Sequence, residues 1–543
     1  MRVTDNCVHR LLDSHLAQGR GDAVCVRTEE GTVTYRELYH RVCRAANAFA
    51  AAGVEYENRV ALVLPDSVDL LACVLGLLRI GAVPVPLSTA LTAADYTRVF
   101  VDCRPRLAVV APSRLADVLA ARDATAPTLA PGPPRPRAVW VAPDAGADAA
   151  ADTGADVAAA DRAAGADAWW ADRLADVPDT CPVLPTSPDD MAVIQYTSGS
   201  TGTPRGVVHL HRGLLAVLRG LPERLGLTAA DVCFSAAKLS FAYGFGNSLL
   251  FPFAVGASTL LMPQTADAPR VLRLVRRCRP TVLFGVPALY AGVLTVAERE
   301  PTAGLPGVRL CVSAGEPLPP SLAERWRRRF GLDLLNGLGS TECLHIFLAQ
   351  EPGRTPPGSS GTLVPGYEAE LRDEQGRVLG PGEPGELWVR SEANAARYWN
   401  RQPETRTTMV GGWIRTGDQL RRDADGVFSY LARTDDVLKV GGMKVAPTEI
   451  EDCLLRHPQV RECAVVGVPG RHGTTEIVAY VRPVAGRPDS PEHEVALRRS
   501  LRAHLRGSLA PYKLPRTLHV VDDLPRTTTG KVARQQLRTR REG

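Results

Sequence analysis

Residues 196–207 read Y-T-S-G-S-T-G-T-P-R-G-V, a stretch whose residue types suit the capture of a polyphosphate. Gly199 and Gly202 tolerate the dihedrals that turn several backbone N–H groups toward one anion. The hydroxyls of Thr197, Ser198, Ser200 and Thr201 and the guanidinium of Arg205 add further donors. The stretch is not a Walker loop, which needs G-x-x-x-x-G-K-[ST]. The only Gly-Lys pair, Gly530-Lys531, is followed by valine near the C-terminus. Taken alone, such a run could equally be a solvated surface turn.

Five further segments change that balance. They are S-A-G-E-P at 313–317, G-L-G-S-T-E at 337–342, G-W-I-R-T-G-D at 412–418, R-T-D-D at 433–436 with Gly441-Gly442, and P-R-T-T-T-G-K at 525–531. In this order, and together with the first loop, they resemble the adenylate-forming superfamily of acyl-CoA synthetases, peptide-synthetase adenylation domains and luciferases. The resemblance covers essentially the whole chain. It implies that a carboxylate attacks the α-phosphorus of ATP, pyrophosphate leaves, and a thiol captures the acyl-adenylate. Charge that builds on the α-phosphate oxygens then calls for an ammonium, Mg²⁺ and hydroxyl donors acting mainly in the transition state.

By the same resemblance, Lys531 bridges carboxylate and α-phosphate, Glu342 ligates Mg²⁺, and Thr341 donates to phosphate. Asp418 accepts the ribose hydroxyls and Arg433 helps to fix them. Gly315, Glu316, Gly337, Leu338 and Gly339 face adenine, with aliphatic Leu338 where many members carry an aromatic ring. Asp435 is the hinge on which a small domain turns to withdraw Lys531 and bring Gly441-Gly442 toward a thiol tunnel. One residue departs from the pattern: the loop usually ends Pro-Lys-Gly, and here it ends Pro204-Arg205-Gly206. Arginine keeps the charge but presents a planar fork instead of a point ammonium.

The acid is read from two stretches, F-A-Y-G-F-G-N at 241–247 and G-S-T-E-C-L-H-I-F at 339–347, which resemble benzoate and hydroxybenzoate CoA ligases. Amino-acid-activating members usually place an aspartate near Ala242 to pair with the substrate ammonium. An alanine there would leave a buried ammonium unpaired, which disfavours amino acids. Small Ala242, Ala314 and Gly339 would leave a slot for one aromatic ring, walled by Tyr243, Leu338 and Ile346. His345 is expected either at the edge of that slot, touching a ring hydroxyl, or packed away from it. The expected acceptor is coenzyme A. The phosphopantetheine of a separate carrier protein is the close rival, and a silent binding or regulatory relative the distant one. No G-x-S-x-G nucleophile elbow supports a hydrolase.

The elements expected to position these residues give an α/β fold. Helical patterns at 35–52 and 68–80 alternate with short apolar runs at 60–64 and 107–111, and the rhythm returns at 281–284 and 310–312, which argues for βα units around two parallel sheets. Residues 131–175, rich in Ala, Asp, Gly and Pro, read as a low-complexity surface insertion. From about 355 the Gly- and Pro-punctuated strands suggest a small β-barrel-like subdomain. The expected division is a large N-terminal domain over 1–434 and a small mobile α+β domain over 435–543. In the latter, helices are expected at 448–455 and 491–505 and strands at 462–466 and 476–481.

Composition bounds the rest. With 543 residues and 45% hydrophobic content the chain can bury several cores, and 64 basic against 59 acidic residues leave a net charge of +5, too balanced for nucleic acid as the main partner. Basic runs at 273–279, 325–329 and 534–541 read as solvated helix faces. Twelve scattered cysteines indicate neither a disulfide framework nor a zinc site. The first ten residues hold no apolar signal-peptide core, and no apolar run is long and uncharged enough to span a bilayer, so a cytoplasmic enzyme is expected, with a homodimer possible.

Overall fold

A computed structural model of the chain describes residues 6–125, 136–143, 165–198, 204–300, 302–351, 353–434, 436, 438–440, 443–469, 475–526 and 532–539. Two sheets dominate. The larger has nine strands in the spatial order Thr362–Leu363, Ile346–Ala349, Leu334–Gly339, Leu310–Ser313, Val282–Gly285, Val232–Ser235, Ser258–Leu260, Val24–Arg27, Thr32–Thr34. Its centre, from Leu334–Gly339 through Val24–Arg27, is parallel, and both edges are antiparallel. Val282–Gly285 and Leu310–Ser313 are buried at every position, as strands covered on both faces must be.

The second sheet is parallel throughout, in the order Val83–Pro86, Arg59–Val63, Leu107–Val110, Val139–Val141, Ala168–Trp169. Its helices start at well-formed caps. Thr34 and Glu37 close a reciprocal capping box on Tyr35–Ala51, Thr92 and Asp95 do the same on Ala93–Cys103, and Ser67 caps Val68–Arg79. Helices Tyr35–Ala51 and Val68–Arg79 meet at Gly76, where an added Cβ would lie 3.0 Å from both the Ala45 Cβ and the Ala46 nitrogen. Any larger residue there would force the helices apart by a few tenths of an ångström.

The segment expected to be a surface insertion is different at its two ends. Val139–Val141 and Ala168–Trp169 extend the parallel sheet, and Trp140 and Trp170 are buried beside Phe49, with ring centroids 5.8 and 5.4 Å from it. The alanine and aspartate content masked two tryptophans, Trp140 and Trp170, whose burial outweighs local polarity. The low-complexity stretch 144–164 lies outside the described residues.

Smaller sheets complete the molecule. Met191–Ser198 and Pro204–Leu210 form an antiparallel hairpin that takes Arg397–Tyr398 as a third strand. Glu368–Arg372, Pro384–Arg390, Trp413–Arg422, Met409–Val410 and Phe428–Arg433 make an antiparallel five-stranded sheet. From Leu438 onward, a sheet of Val460–Pro469, Thr475–Pro483 and Thr517–Val520 packs with helices Pro447–Leu455 and Pro491–Ser508 around its own apolar core. One basic run expected to be solvated turns inward: Arg534 grips Glu451 through two nitrogens, at 2.6 and 3.0 Å, and Arg538 pairs with Asp436. No helix among the described residues is long and apolar enough to cross a membrane.

Candidate active site

The hairpin Met191–Ser198/Pro204–Leu210 fixes the ends of the first loop, pairing Ser198 with Pro204, Thr197 with Arg205 and Tyr196 with Gly206. Its base is anchored to helix Ala93–Cys103, where the Tyr196 hydroxyl donates to Asp102 Oδ2 at 2.6 Å and Trp399 Nε1 to the Asp102 carbonyl at 3.1 Å. Burial pushes the Asp102 carboxyl above its usual range, against the hydrogen bonds from Tyr196 and Asn400. Gly199, Ser200, Thr201 and Gly202 lie outside the described residues, as do Asp435, Gly441, Gly442 and Lys531. The segment carrying Lys531 is closed at its ends by an antiparallel bridge between Arg526 and Val532 and by the Ala533 N–H donating to the Pro525 carbonyl at 2.7 Å. Burial disfavours the Arg526 guanidinium, but Glu462 and then Glu316 attract it, so its pKa is raised. Arg526 and Glu316 therefore lie within electrostatic range of each other.

Strand Leu334–Gly339 ends in a tight turn that returns as Ile346–Ala349. Leu344 sits at φ 68°, a left-handed conformation unusual for leucine, and the turn is held by the Leu344 N–H donating to the Thr341 carbonyl at 3.0 Å and the Tyr367 hydroxyl donating to the Cys343 carbonyl at 3.0 Å. Strain of this kind needs surrounding structure that over-determines it. Glu342 is fixed twice: the Ala395 N–H donates to its carbonyl at 2.7 Å and the Tyr398 hydroxyl to its Oε1 at 2.6 Å. The buried imidazole of His209, held neutral with a pKa lowered to about 4, backs the Thr341 main chain.

A second polar pair stands on the five-stranded sheet. Asp418 and Arg433 are direct cross-strand partners, and Arg433 Nη1 donates to Asp418 Oδ1 at 2.9 Å and to the Thr416 carbonyl at 2.8 Å. Burial opposes the arginine's charge, yet Asp418, with a contribution from Glu342, raises its pKa. Asp418, Arg433 and Glu342 thus share one field.

The apolar side is a helical run, Ala242–Phe245, Gly246–Leu250 and Phe251–Val255, whose middle turn is the wide π form common where helices serve a site. Its start is locked from below. The Lys238 ammonium donates to the carbonyls of Met262 and Gln264 and lies 3.9 Å from buried Asp66, which accepts the Leu239 N–H at 3.0 Å. The Tyr243 hydroxyl donates to the Val312 carbonyl at 3.1 Å. His345 Nε2 lies 3.2 Å from the Tyr243 carbonyl, and the His345 ring meets Phe251 edge-on at 4.5 Å between centroids. Burial drops the His345 pKa to about 3, so the imidazole is neutral. It packs between the rings of Tyr243 and Phe251, and its Nδ1 has no hydrogen-bond partner among the described residues.

Glycines set this wall's thickness. A Cβ at Gly246 would stand 2.3 Å from His345 Cδ2, and one at Gly339 would stand 2.5 Å from the His345 carbonyl oxygen. Ala314 is buried with its N–H on the Gly285 carbonyl at 3.2 Å, and Gly315 follows at φ 92°. Leu338 and Ile346 pair across the returning strand, through Leu348 and Gly339 respectively, with a register shift between them.

The structure therefore brings together Thr197, Arg205, Thr341, Glu342, Asp418 and Arg433 on the polar side, and Ala242, Tyr243, Ala314, Gly339, His345 and Ile346 on the apolar one. Sequence reasoning missed Tyr398, His209 and the Asp66–Lys238 pair. Lys238 and Asp66 left a signal, since a charge inside an otherwise apolar run needs a buried partner. Tyr398 in R-Y-W-N left none beyond its aromatic neighbours.

The pattern of the AMP-binding enzymes matches residues 14–399, and that of the AMP-binding enzyme C-terminal domain matches residues 449–531. A 4-hydroxybenzoate–CoA/benzoate–CoA ligase of Rhodopseudomonas palustris (strain ATCC BAA-98 / CGA009) is 40% identical over 534 residues, spanning 98% of this chain and 94% of that protein. The crystal structure of a benzoate CoA ligase from Burkholderia xenovorans LB400 superposes with a TM-score of 0.84 at 34% identity, covering 98% of this chain and 99% of that one. The anthranilate CoA ligase AuaEII, in complex with anthranoyl-AMP, superposes with a TM-score of 0.88 at 33% identity, covering 99% and 98% of the two chains. With one family pattern spanning residues 14–399, the returning turn and Glu342 included, and a relative 40% identical over 98% of its length, this chain belongs to the AMP-binding enzymes.

Proposed function

We propose that the protein activates benzoate or a substituted benzoate with ATP and passes the acyl group to coenzyme A. The observation that carries the reading is the turn 339–346: Glu342 faces the polar cluster, while Gly339, His345 and Ile346, a few residues away, build a ring-sized apolar wall with Tyr243. No carboxylate stands at Ala242 to pair with an amino-acid ammonium, which disfavours amino acids. Neutral His345 likewise offers no cation to the acid's carboxylate.

In this reading the loop 197–205 cradles the phosphates and Asp418 receives the ribose hydroxyls. Arg433 pairs with Asp418 and orients it. Gly315, Glu316, Gly337, Leu338 and Gly339 line the adenine. Glu342 suits a hard divalent cation: one carboxylate oxygen is held by Tyr398, the other accepts no hydrogen bond from the described residues, and the Thr341 hydroxyl is its chain neighbour. Residues Glu342 and Thr341 would hold Mg²⁺, which when bound neutralises phosphate charge. A carboxylate oxygen of the acid attacks the α-phosphorus, the bond to the bridging oxygen of the β-phosphate breaks, and pyrophosphate departs. The Lys531 ammonium offsets the negative charge that gathers between carboxylate and α-phosphate. Rotation about Asp435 then withdraws Lys531 and brings Gly441 and Gly442 to the thiol's path. The coenzyme A sulfur attacks the acyl carbonyl, its proton is lost to solvent, and AMP leaves with the acyl oxygen.

The test is acid-dependent pyrophosphate release from ATP and Mg²⁺ across benzoate, hydroxybenzoates, aminobenzoates, cinnamates, medium-chain fatty acids and amino acids, with and without coenzyme A. Release confined to benzoates and stimulated by coenzyme A is the expected result. Release without that stimulation would move the acceptor to a carrier protein, and no release with any acid would overturn the reading.

A further inference from the structure

Strand Arg397–Tyr398 is hydrogen-bonded to the strand that leaves the phosphate loop. Tyr398 pairs with Val207, the Trp399 N–H donates to the Gly206 carbonyl at 2.7 Å, and the Ala396 N–H to the Val208 carbonyl at 2.9 Å. The same short segment holds Glu342 at two points, through Ala395 N–H to its carbonyl at 2.7 Å and through the Tyr398 hydroxyl to its Oε1 at 2.6 Å. Tyr398 is itself fixed: its ring is buried and its N–H donates to Thr405 Oγ1 at 3.0 Å. Over its face, 5.6 Å from the centroid, lies the guanidinium of Arg205, the residue that departs from the loop's usual lysine.

We infer that Tyr398 is a positioning residue that couples the phosphate loop to the orientation of the Glu342 carboxylate, with Arg205 as the contact between them. The hydroxyl, with Thr408 also beside it, donates to Glu342 Oε1, and that bond would leave the second carboxylate oxygen directed toward a cation. A guanidinium suits the ring face because it is planar and weakly hydrated, whereas a lysine ammonium is a compact, strongly hydrated charge. Arg205 is therefore matched to Tyr398, and phosphate drawn to Arg205 acts on a group that touches the ring behind Glu342. This rests on the proposed ATP- and Mg²⁺-dependent reading of the site.

The test separates nucleotide from metal. ATP binding to the full-length protein is measured by calorimetry with and without Mg²⁺, for the parent, Tyr398→Phe, Arg205→Gln and the double variant. Tyr398→Phe keeps the ring for Arg205 and removes the hydroxyl. The expected result is metal-free ATP affinity within about twofold of the parent, and a loss of about tenfold in the Mg²⁺-dependent gain, the scale typical of an outer-shell partner. Arg205→Gln is expected to weaken ATP directly, and also to shrink the Mg²⁺-dependent gain in the parent but not in the Tyr398→Phe background. An unchanged Mg²⁺-dependent gain in Tyr398→Phe, or equal effects of Arg205→Gln in both backgrounds, would overturn the coupling. If Tyr398→Phe does not fold, 3-fluorotyrosine at position 398 replaces it. Its ¹⁹F resonance should move when Mg²⁺ joins the ATP complex, and no movement would overturn the proposal. A parent protein that binds no ATP would instead sink the functional reading on which it stands.

Discussion

Asp418 with its cross-strand partner Arg433, and Glu342 in its turn with Tyr398, are held by charge-assisted hydrogen bonds of 2.6 to 2.9 Å, whereas around His345 a neutral imidazole packs against the rings of Tyr243 and Phe251. On the polar side, direction decides: each carboxylate is aimed by the donor that holds it. On the apolar side, volume decides, and the decisive residues are glycines. The comparison teaches that isosteric changes should injure the first side and leave its fold intact, while a single methyl should injure the second.

The largest expected effect comes from outside both walls. Lys531→Ala should lower adenylate formation by about 10²- to 10³-fold, as removal of one transition-state donor does, yet leave thiol capture from a supplied acyl-adenylate nearly unchanged. Equal losses in the two half-reactions would show that the polar side does not act through differential charge stabilisation. Gly246→Ala attacks the apolar side, because its Cβ would meet His345 Cδ2 at 2.3 Å. Displacing a buried ring should cost about 1–3 kcal/mol of stability, and the KM for the aromatic acid should rise while that for ATP holds. A rise in both would mean the two walls are not independent.

Acid should also find the packed side first. Burial holds His345 at a pKa of about 3 and His209 and His211 at about 4, against 6.5 when exposed. Between pH 6.5 and 4 the unfolded chain binds protons that the folded protein refuses. Stability therefore falls as pH drops, by about 1.4 kcal/mol per histidine per pH unit well below 6.5. Denaturant melts at pH 7, 6 and 5 measure the slope, and His211→Gln should lower it by one histidine's share. A flat profile would contradict the neutral assignment. The smallest effect is a gain: Leu338→Tyr should tighten ATP binding by about two- to tenfold through ring stacking on adenine, and no change would place adenine away from Leu338.

Much of this was legible from residue order. The hydroxyl- and glycine-rich loop could be read from local chemistry, Lys531, Glu342 and Asp418 were singled out only through the resemblance of their segments to a family, and strands 282–285 and 310–313 follow from unbroken apolar runs. The ends of the alanine- and aspartate-rich segment misled because composition averages away Trp140 and Trp170, which sit in a core against Phe49. Tyr398 could not be singled out, since its partner Glu342 is far away in the chain and a tyrosine's hydroxyl gains meaning only from what it faces.

Sequence by itself determined the residue types: a loop of hydroxyls, glycines and Arg205, carboxylates at Glu342 and Asp418, and no carboxylate at Ala242. Only the tertiary structure decided which donor serves which acceptor, that His345 lies neutral behind the wall, and that Arg205 rests on Tyr398. The physical reason is that residue type fixes charge and hydrogen-bonding capacity, while burial, direction and the identity of a distant partner exist only once the strands have paired.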